Sequence, residues 1–167
     1  DSTIWFGTNL GRIYKSSDRG YHWTAASTPL SGSYIGAIAF RDLNNGIATT
    51  GSTGGARDII RTTDGGTTWT LAGANTNGFT TSLGLCYLPG SDSTYFISNA
   101  AAGSQNGTAF SPNDGNTWVL VDNLIHTDVD FVNDSTGWTG SNELNAPMFK
   151  WSSPIHIPTN DVAANSI

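Results

Sequence analysis

Charge is scarce in this sequence. Asp, Glu, Lys and Arg make up 12% of its 167 residues, and the formal net charge is −6. The seven cations are scattered, so there is no basic stripe to hold a phosphate backbone and nucleic acid is not expected as a partner. Cysteine is nearly absent. The lone Cys86, in "LGLCYL", rules out an internal disulfide and a thiolate metal cage, and reads as a buried thiol acting as a small hydrophobe. No apolar run approaches the roughly 20 residues that cross a bilayer. No stretch keeps a helical apolar period for long, so helices should be nearly absent. The opening "DSTIWFG" has neither the basic nor the apolar region of a secretory leader, so any such segment is expected to have been removed.

What is plentiful is small and polar. Ser, Thr, Asn and Gly supply 75 residues, and they break the aromatic and β-branched residues into short runs, the pattern of many short strands. The length suits one domain with a real core.

Three near-copies of one turn set the architecture: "SSDRGYHW" from Ser16 to Trp23, "TTDGGTTW" from Thr62 to Trp69 and "SPNDGNTW" from Ser111 to Trp118. Each places a hydroxyl, then Asp or Asn, then Gly, then Trp at fixed offsets: Ser16, Asp18, Gly20, Trp23; Thr62, Asp64, Gly66, Trp69; Ser111, Asn113, Gly115, Trp118. The tryptophans lie 46 and 49 residues apart, a period that signals a repeat architecture. A short Asp or Asn side chain, like the leading hydroxyl, accepts backbone N–H bonds across a turn. Gly supplies a positive φ, and Trp opens the next strand with a large apolar face. These residues are therefore hairpin fasteners, with the three tryptophans expected to pack between repeating units. Two further markers recur. A Phe precedes a Gly by six residues in "FRDLNNGIATTG" and in "FVNDSTGWTG", and Asp-Ser-Thr begins at Asp1, Asp92 and Asp134. Each unit reads as four strands, as in "GAIAF", "GIATTG", "DIIRTT" and "TWTLAG". Trp5 and Trp138 fall in second strands and are expected between units.

Four antiparallel strands per unit make the blade of a β-propeller. The turn resembles the Asp box, or BNR repeat, of sialidases, sortilin-type receptors and photosystem assembly-factor propellers, the last being most similar in phrasing. The resemblance implies an all-β fold with about three and a half blades over residues 1–154, in units of about 1–27, 34–73, 79–122 and 124–154. "STIWFG" aligns with a second strand and "PMFKW" with a third, after which Trp151 stands where the hydroxyl should be. Such a piece leaves unpaired edges, so the remaining blades are expected from a longer parent chain or from a second copy. Residues 155–167 read as a linker. "IPTNDVAANSI" resembles the segment before the sorting domain of proteins exported by the Bacteroidetes type IX secretion system, which implies a secreted or cell-surface protein. An ordinary polar terminus has the same composition.

Fold alone does not assign function. A sialidase implies three arginines, a Tyr assisted by Glu, and an acid Asp. Here Glu143 is the single Glu, "GRIY" lacks the Pro of the Arg-Ile-Pro motif, and Arg12, Arg19, Arg41, Arg57 and Arg61 lie mostly in or beside the turns. No catalytic residue, metal site or cofactor is assigned. Family resemblance puts ligands on the face built from the loops between second and third strands and between blades. Strand alternation would set His126, Asp128 and Asp130 of "HTDVDF" on one side of an innermost strand. Such a set has the chemistry to hold a metal ion or a proton, but reads first as a solvated channel wall. Tyr34, Arg57, Gln105, Asn106 and Glu143 complete the candidate ligand-facing residues. The expectation is a binding or scaffold module for a protein or glycan, with a glycan-active hydrolase completed by other blades as the alternative.

Overall fold

The computed structural model describes residues 2–29, 33–51, 58–73, 84–99, 106–141 and 148–151. Every regular element among them is a β-strand, and none is a helix long and apolar enough to cross a membrane. Four antiparallel meanders account for the strands. The first holds β1 (Ile4–Gly7), β2 (Arg12–Ser16) and β3 (Thr24–Ser27). The second holds β4 (Tyr34–Phe40), β5 (Gly46–Gly51), β6 (Ile59–Thr62) and β7 (Thr70–Leu71). The third holds β8 (Gly84–Tyr87), β9 (Tyr95–Asn99), β10 (Gly107–Ser111) and β11 (Val119–Leu120). The fourth holds β12 (Asp128–Asn133), β13 (Thr136–Gly140) and β14 (Phe149–Trp151). The all-β propeller architecture expected from the sequence is the one observed.

Alternation along each strand sends neighbouring residues to opposite faces, so a sheet between two others is buried on both. In the second sheet Ala48 and Ile60 pack with Ile13, Ile35 and Trp69 toward the first sheet. Their neighbours Ile47 and Ile59 pack with Tyr95, Ile97, Ala109 and Trp118 toward the third. Phe96 and Phe110 then face Val129 and Phe131 of the fourth sheet. That is why β9 and β10 are buried at every position.

The three turns are near-identical. In each, the leading hydroxyl donates to the Asp or Asn oxygen two residues on and accepts the N–H of the Gly: Ser16 from Gly20 at 2.8 Å, Thr62 from Gly66 at 2.9 Å and Ser111 from Gly115 at 2.9 Å. The Asp or Asn oxygen then accepts an N–H four residues further on, from His22, Thr68 or Thr117, each at 2.9 Å. The Trp indole N–H closes onto the Gly carbonyl. The residue before each Gly (Arg19, Gly65, Asp114) also has a positive φ, and its N–H reaches an inner turn at Ser2, Asn44 or Ser93. Ser2 and Ser93 are the serines of the Asp-Ser-Thr marker, so that tripeptide ties the inner turn to the outer one. The Phe–Gly marker has a similar origin. Phe40 pairs across the hairpin with Gly46 and Phe131 with Gly137, and each ring lies over its glycine where a Cβ would stand.

Two expectations about tryptophan fail. Trp69 and Trp118 are buried between sheets, but Trp23 is 39% exposed, because no sheet among the described residues covers the outer face of the first; its ring meets Phe6 edge-on. Trp138 is also exposed. It shares a face with Asp130 and Lys150, while Gly137 and Thr139 take the face that packs inward. Trp5 is partly buried, stacked on Phe40 with its indole N–H on the Gly65 carbonyl.

The turn carboxylates titrate low. Asp18 is held at about 2, chiefly by the His22 N–H and then its ring, and Asp64 at about 2, chiefly by the Thr68 hydroxyl and then its N–H. Both folded values lie below the ordinary 3.8, so the stabilisation is complete above that value and fades as pH falls toward about 2. Asn113 makes the same bonds with no proton to gain. Asp64→Ala is therefore expected to lower stability by about 1–2 kcal/mol at neutral pH. Asp64→Asn should keep most of it and respond less to acid. Urea midpoints at two pH values check both, and an Asp64→Ala protein as stable as the parent would refute the latch.

Candidate functional site

The connection from β11 to β12 builds a cleft against the fourth sheet. Its first residue, Val121, donates its N–H to the Thr108 carbonyl of β10 at 2.8 Å. Thr127, at its far end, donates to the Gly140 carbonyl of β13 at 2.7 Å. The segment is thus pinned to both sheets and drops His126 between them, where it is 1% exposed. Close approach to β10 depends on Gly107, whose φ is +133° and where a Cβ would meet the Asp122 carbonyl.

The His126 ring stands edge-on to Phe149, with centroids 5.2 Å apart, and its Nε2 lies 3.1 Å from Asp122 Oδ1. Asp122 is itself set by accepting the Leu124 N–H at 3.0 Å. An ionised carboxylate can only accept, so in the neutral ring the proton sits on Nε2 and Nδ1 presents a lone pair. Nδ1 is buried and has no hydrogen-bond partner. The same is true of Thr139 Oγ1 on β13 and Trp151 Nε1 on β14. All three side chains line one cavity of about 210 Å³, walled otherwise by Asp122, Leu124, Phe149 and Lys150. A buried polar atom left unpaired costs about 1–3 kcal/mol, so three around one space are a costly arrangement.

The structure separates the candidates that alternation had grouped. Residues 124–127 are not strand, so the period of two does not extend back from Asp128 to His126. His126 turns inward to Asp122, while Asp128 and Asp130 face out on β12. Each of these two accepts the N–H of the following residue, Val129 or Phe131, at 2.9 Å. No group of three His, Cys, Asp or Glu suited to a metal ion occurs among the described residues. Tyr34 is exposed at the start of β4. Asn106 lies beside Gly107, near the cleft, with its Oδ1 buried and unpartnered. Arg57, Gln105, Glu143 and the 155–167 tail lie outside the described residues. Burial pushes the Cys86 thiol well up, with the Asp130 and Asp128 charges adding to it, so it is no nucleophile at neutral pH.

Asp122, Thr139, Phe149 and Trp151 were not visible as site residues in the sequence. They come from three separate elements, and only the Asp122-His126 spacing offered a signal. A second cavity, of about 360 Å³ between the first and second sheets, has Trp5 and Phe40 as its floor and Arg41 and Asp42 at its rim. Its charged groups are mostly engaged by the turns: Arg41 faces Asp42 and Asp114 and donates to the Asp92 carbonyl, and one atom, Arg41 Nε, is buried without a hydrogen bond, against three at the His126 cleft. The cleft at His126 is therefore the better candidate.

No protein-family model matches the chain, and no curated protein does so significantly. Solved propellers do. YCF48 bound to D1 peptide superposes with a TM-score of 0.68 at 14% identity, over 91% of this chain and 47% of that one. YCF48 from Cyanidioschyzon merolae gives 0.67 at 12% identity, over 90% and 49%. The GH74 xyloglucanase from Xanthomonas campestris gives 0.66 at 13% identity, over 92% and 27%. The chain thus spans about half the length of the YCF48 chains and about a quarter of the xyloglucanase. At these identities the likeness is one of fold.

Proposed function

We propose that this chain is a binding and scaffold module within a larger propeller, holding a protein or glycan segment at the cleft between its β11–β12 connection and its fourth sheet. The observation that carries this is the cavity at His126, where buried, unpaired polar atoms stand among aromatic walls. It opens beside a blade-to-blade connection, the region where Asp-box propellers are expected to take ligands. YCF48, whose likeness to this chain is one of fold, is a propeller with a bound peptide. The low charge, the Ser/Thr/Asn-rich surface and the tail's resemblance to a type IX sorting linker support a secreted or surface-displayed protein, and the repeated turns support membership of the Asp-box (BNR) propellers.

The test uses the full-length protein on a peptide library and a glycan array, in parallel with Leu124→Arg. Leu124 is 46% exposed, so the change leaves the core alone while setting a long cation at the cleft. Binding of the parent, reduced about tenfold or more by Leu124→Arg at unchanged melting temperature, is the expected result. Undiminished binding would move the site elsewhere. The fold-level likeness to a xyloglucanase keeps one other reading in play, a glycan-active hydrolase completed by other blades. Release of reducing sugar from xyloglucan by the full-length protein would favour it.

A further inference from the structure

We propose that the cleft recognises a primary carboxamide, the side-chain end of an Asn or Gln in a bound peptide. This rests on the reading of the cleft as a binding site and narrows it to one chemical group.

The inference comes from matching donors to acceptors. His126 Nδ1, with the ring proton held on Nε2 by Asp122, offers one acceptor. Trp151 Nε1–H offers one donor and nothing else, and the Thr139 hydroxyl offers either. A group satisfying all three must donate and accept from adjacent atoms within a small space. A carboxamide does so: its NH2 donates toward His126 and Thr139, and its oxygen accepts from Trp151. A carboxylate carries acceptors only, so it would set lone pairs against the His126 lone pair. It would also bring a second negative charge beside Asp122. Lys150 lines the cavity through its place on β14, but alternation sets its side chain on the face of Trp138, away from His126 and Trp151, so it does not offset that charge. An apolar side chain would leave all three atoms unpaired. A sugar ring brings more hydroxyls than the three unpaired atoms can satisfy, since Asp122 Oδ1 is already engaged by the Leu124 N–H and the His126 ring. The cavity of about 210 Å³ is also below the usual size of a drug-like site, and suits one side chain better than a whole small molecule.

The experiment compares three capped pentapeptides that differ only at the central residue: Gln, Glu or Met. Their C-termini carry an N-methylamide, so that no other primary carboxamide is present. Each is titrated into the full-length protein by calorimetry and by following the Trp151 indole N–H and His126 ring signals. The expected result is saturable binding of the Gln peptide, about tenfold or more tighter than the Glu or Met peptide, with both reporter signals shifting. Thr139→Val, which removes the hydroxyl and keeps the shape, and Trp151→Phe, which removes the indole N–H along with part of the ring, should each erase most of that preference. Should either variant fold poorly, the three-peptide comparison on the unaltered protein still decides. Equal affinity for all three peptides, with the reporters shifting, would overturn the carboxamide while leaving the cleft a peptide site. No shift of either reporter at millimolar Gln peptide would overturn the inference, and the array result then bears alone on the broader reading.

Discussion

Phe96→Ala is expected to lower the unfolding free energy by about 3–5 kcal/mol, the range for deleting a buried aromatic ring. Phe96 is fully buried at the centre of the packing between the third and fourth sheets. Its ring lies 4.6 Å from Phe131, 5.7 Å from Phe110 and 5.8 Å from Trp151 by centroid. Three aromatic neighbours on strands of two different sheets cannot all collapse into the space, so both the transfer loss and the cavity term should be felt. Phe96→Leu, which keeps much of the volume, should cost markedly less. Urea midpoints measure both. A Phe96→Ala loss under about 1 kcal/mol would mean that the two sheets are not packed as described. Because Trp151 touches the same ring and also lines the His126 cleft, the substitution should loosen the site along with the core.

Gly137→Ala is expected to cost about 2–3 kcal/mol, in the upper part of the range for overpacking a filled site. A Cβ at Gly137 would stand 2.3 Å from Phe131 Cδ1 and 2.6 Å from the Asp130 carbonyl oxygen. Backbone cannot retreat, and the Phe131 ring is itself enclosed by Phe96 and Trp151. The counterpart, Gly46→Ala, meets Phe40 at 2.6 Å, but that ring is only partly buried and no backbone oxygen stands as close, so its cost should be smaller. Pairing Gly137→Ala with Phe131→Leu should recover part of the loss, a coupling that a double-mutant cycle reads directly. If Gly137→Ala and Gly46→Ala were both neutral, the ring-over-glycine contact would not be what maintains the Phe–Gly marker.

The fold was legible because its signals are local. Ser16, Asp18, Gly20 and Trp23 act within one turn, and their reuse at Thr62 and Ser111 announces a repeat without reference to any tertiary contact. The Phe–Gly and Asp-Ser-Thr markers were visible as patterns, but their causes were not. One is a cross-strand pair, and the other ties two turns of the same sheet together. The cleft was less legible. Alternation points to His126 only by assuming strand where the chain has an irregular connection. Its partners Asp122, Thr139 and Trp151 belong to segments whose adjacency exists only after the sheets have packed. Trp23 and Trp138 failed similarly, since burial depends on which face meets another sheet, and composition does not carry that.

One small feature of β12 bears on how the protein avoids its own kind. β12 is an edge strand of its sheet, approached by β8 at Gly84 but not paired with it, and an unpaired edge invites a stray strand to dock and extend it. Here Asp128 and Asp130 fold back onto the main-chain donors of Val129 and Phe131, so the strand brings its own caps. An incoming segment would find those donors already engaged and two negative charges guarding them. The inner rim is thereby kept unsticky by two side chains that need neither catalyse nor bind anything.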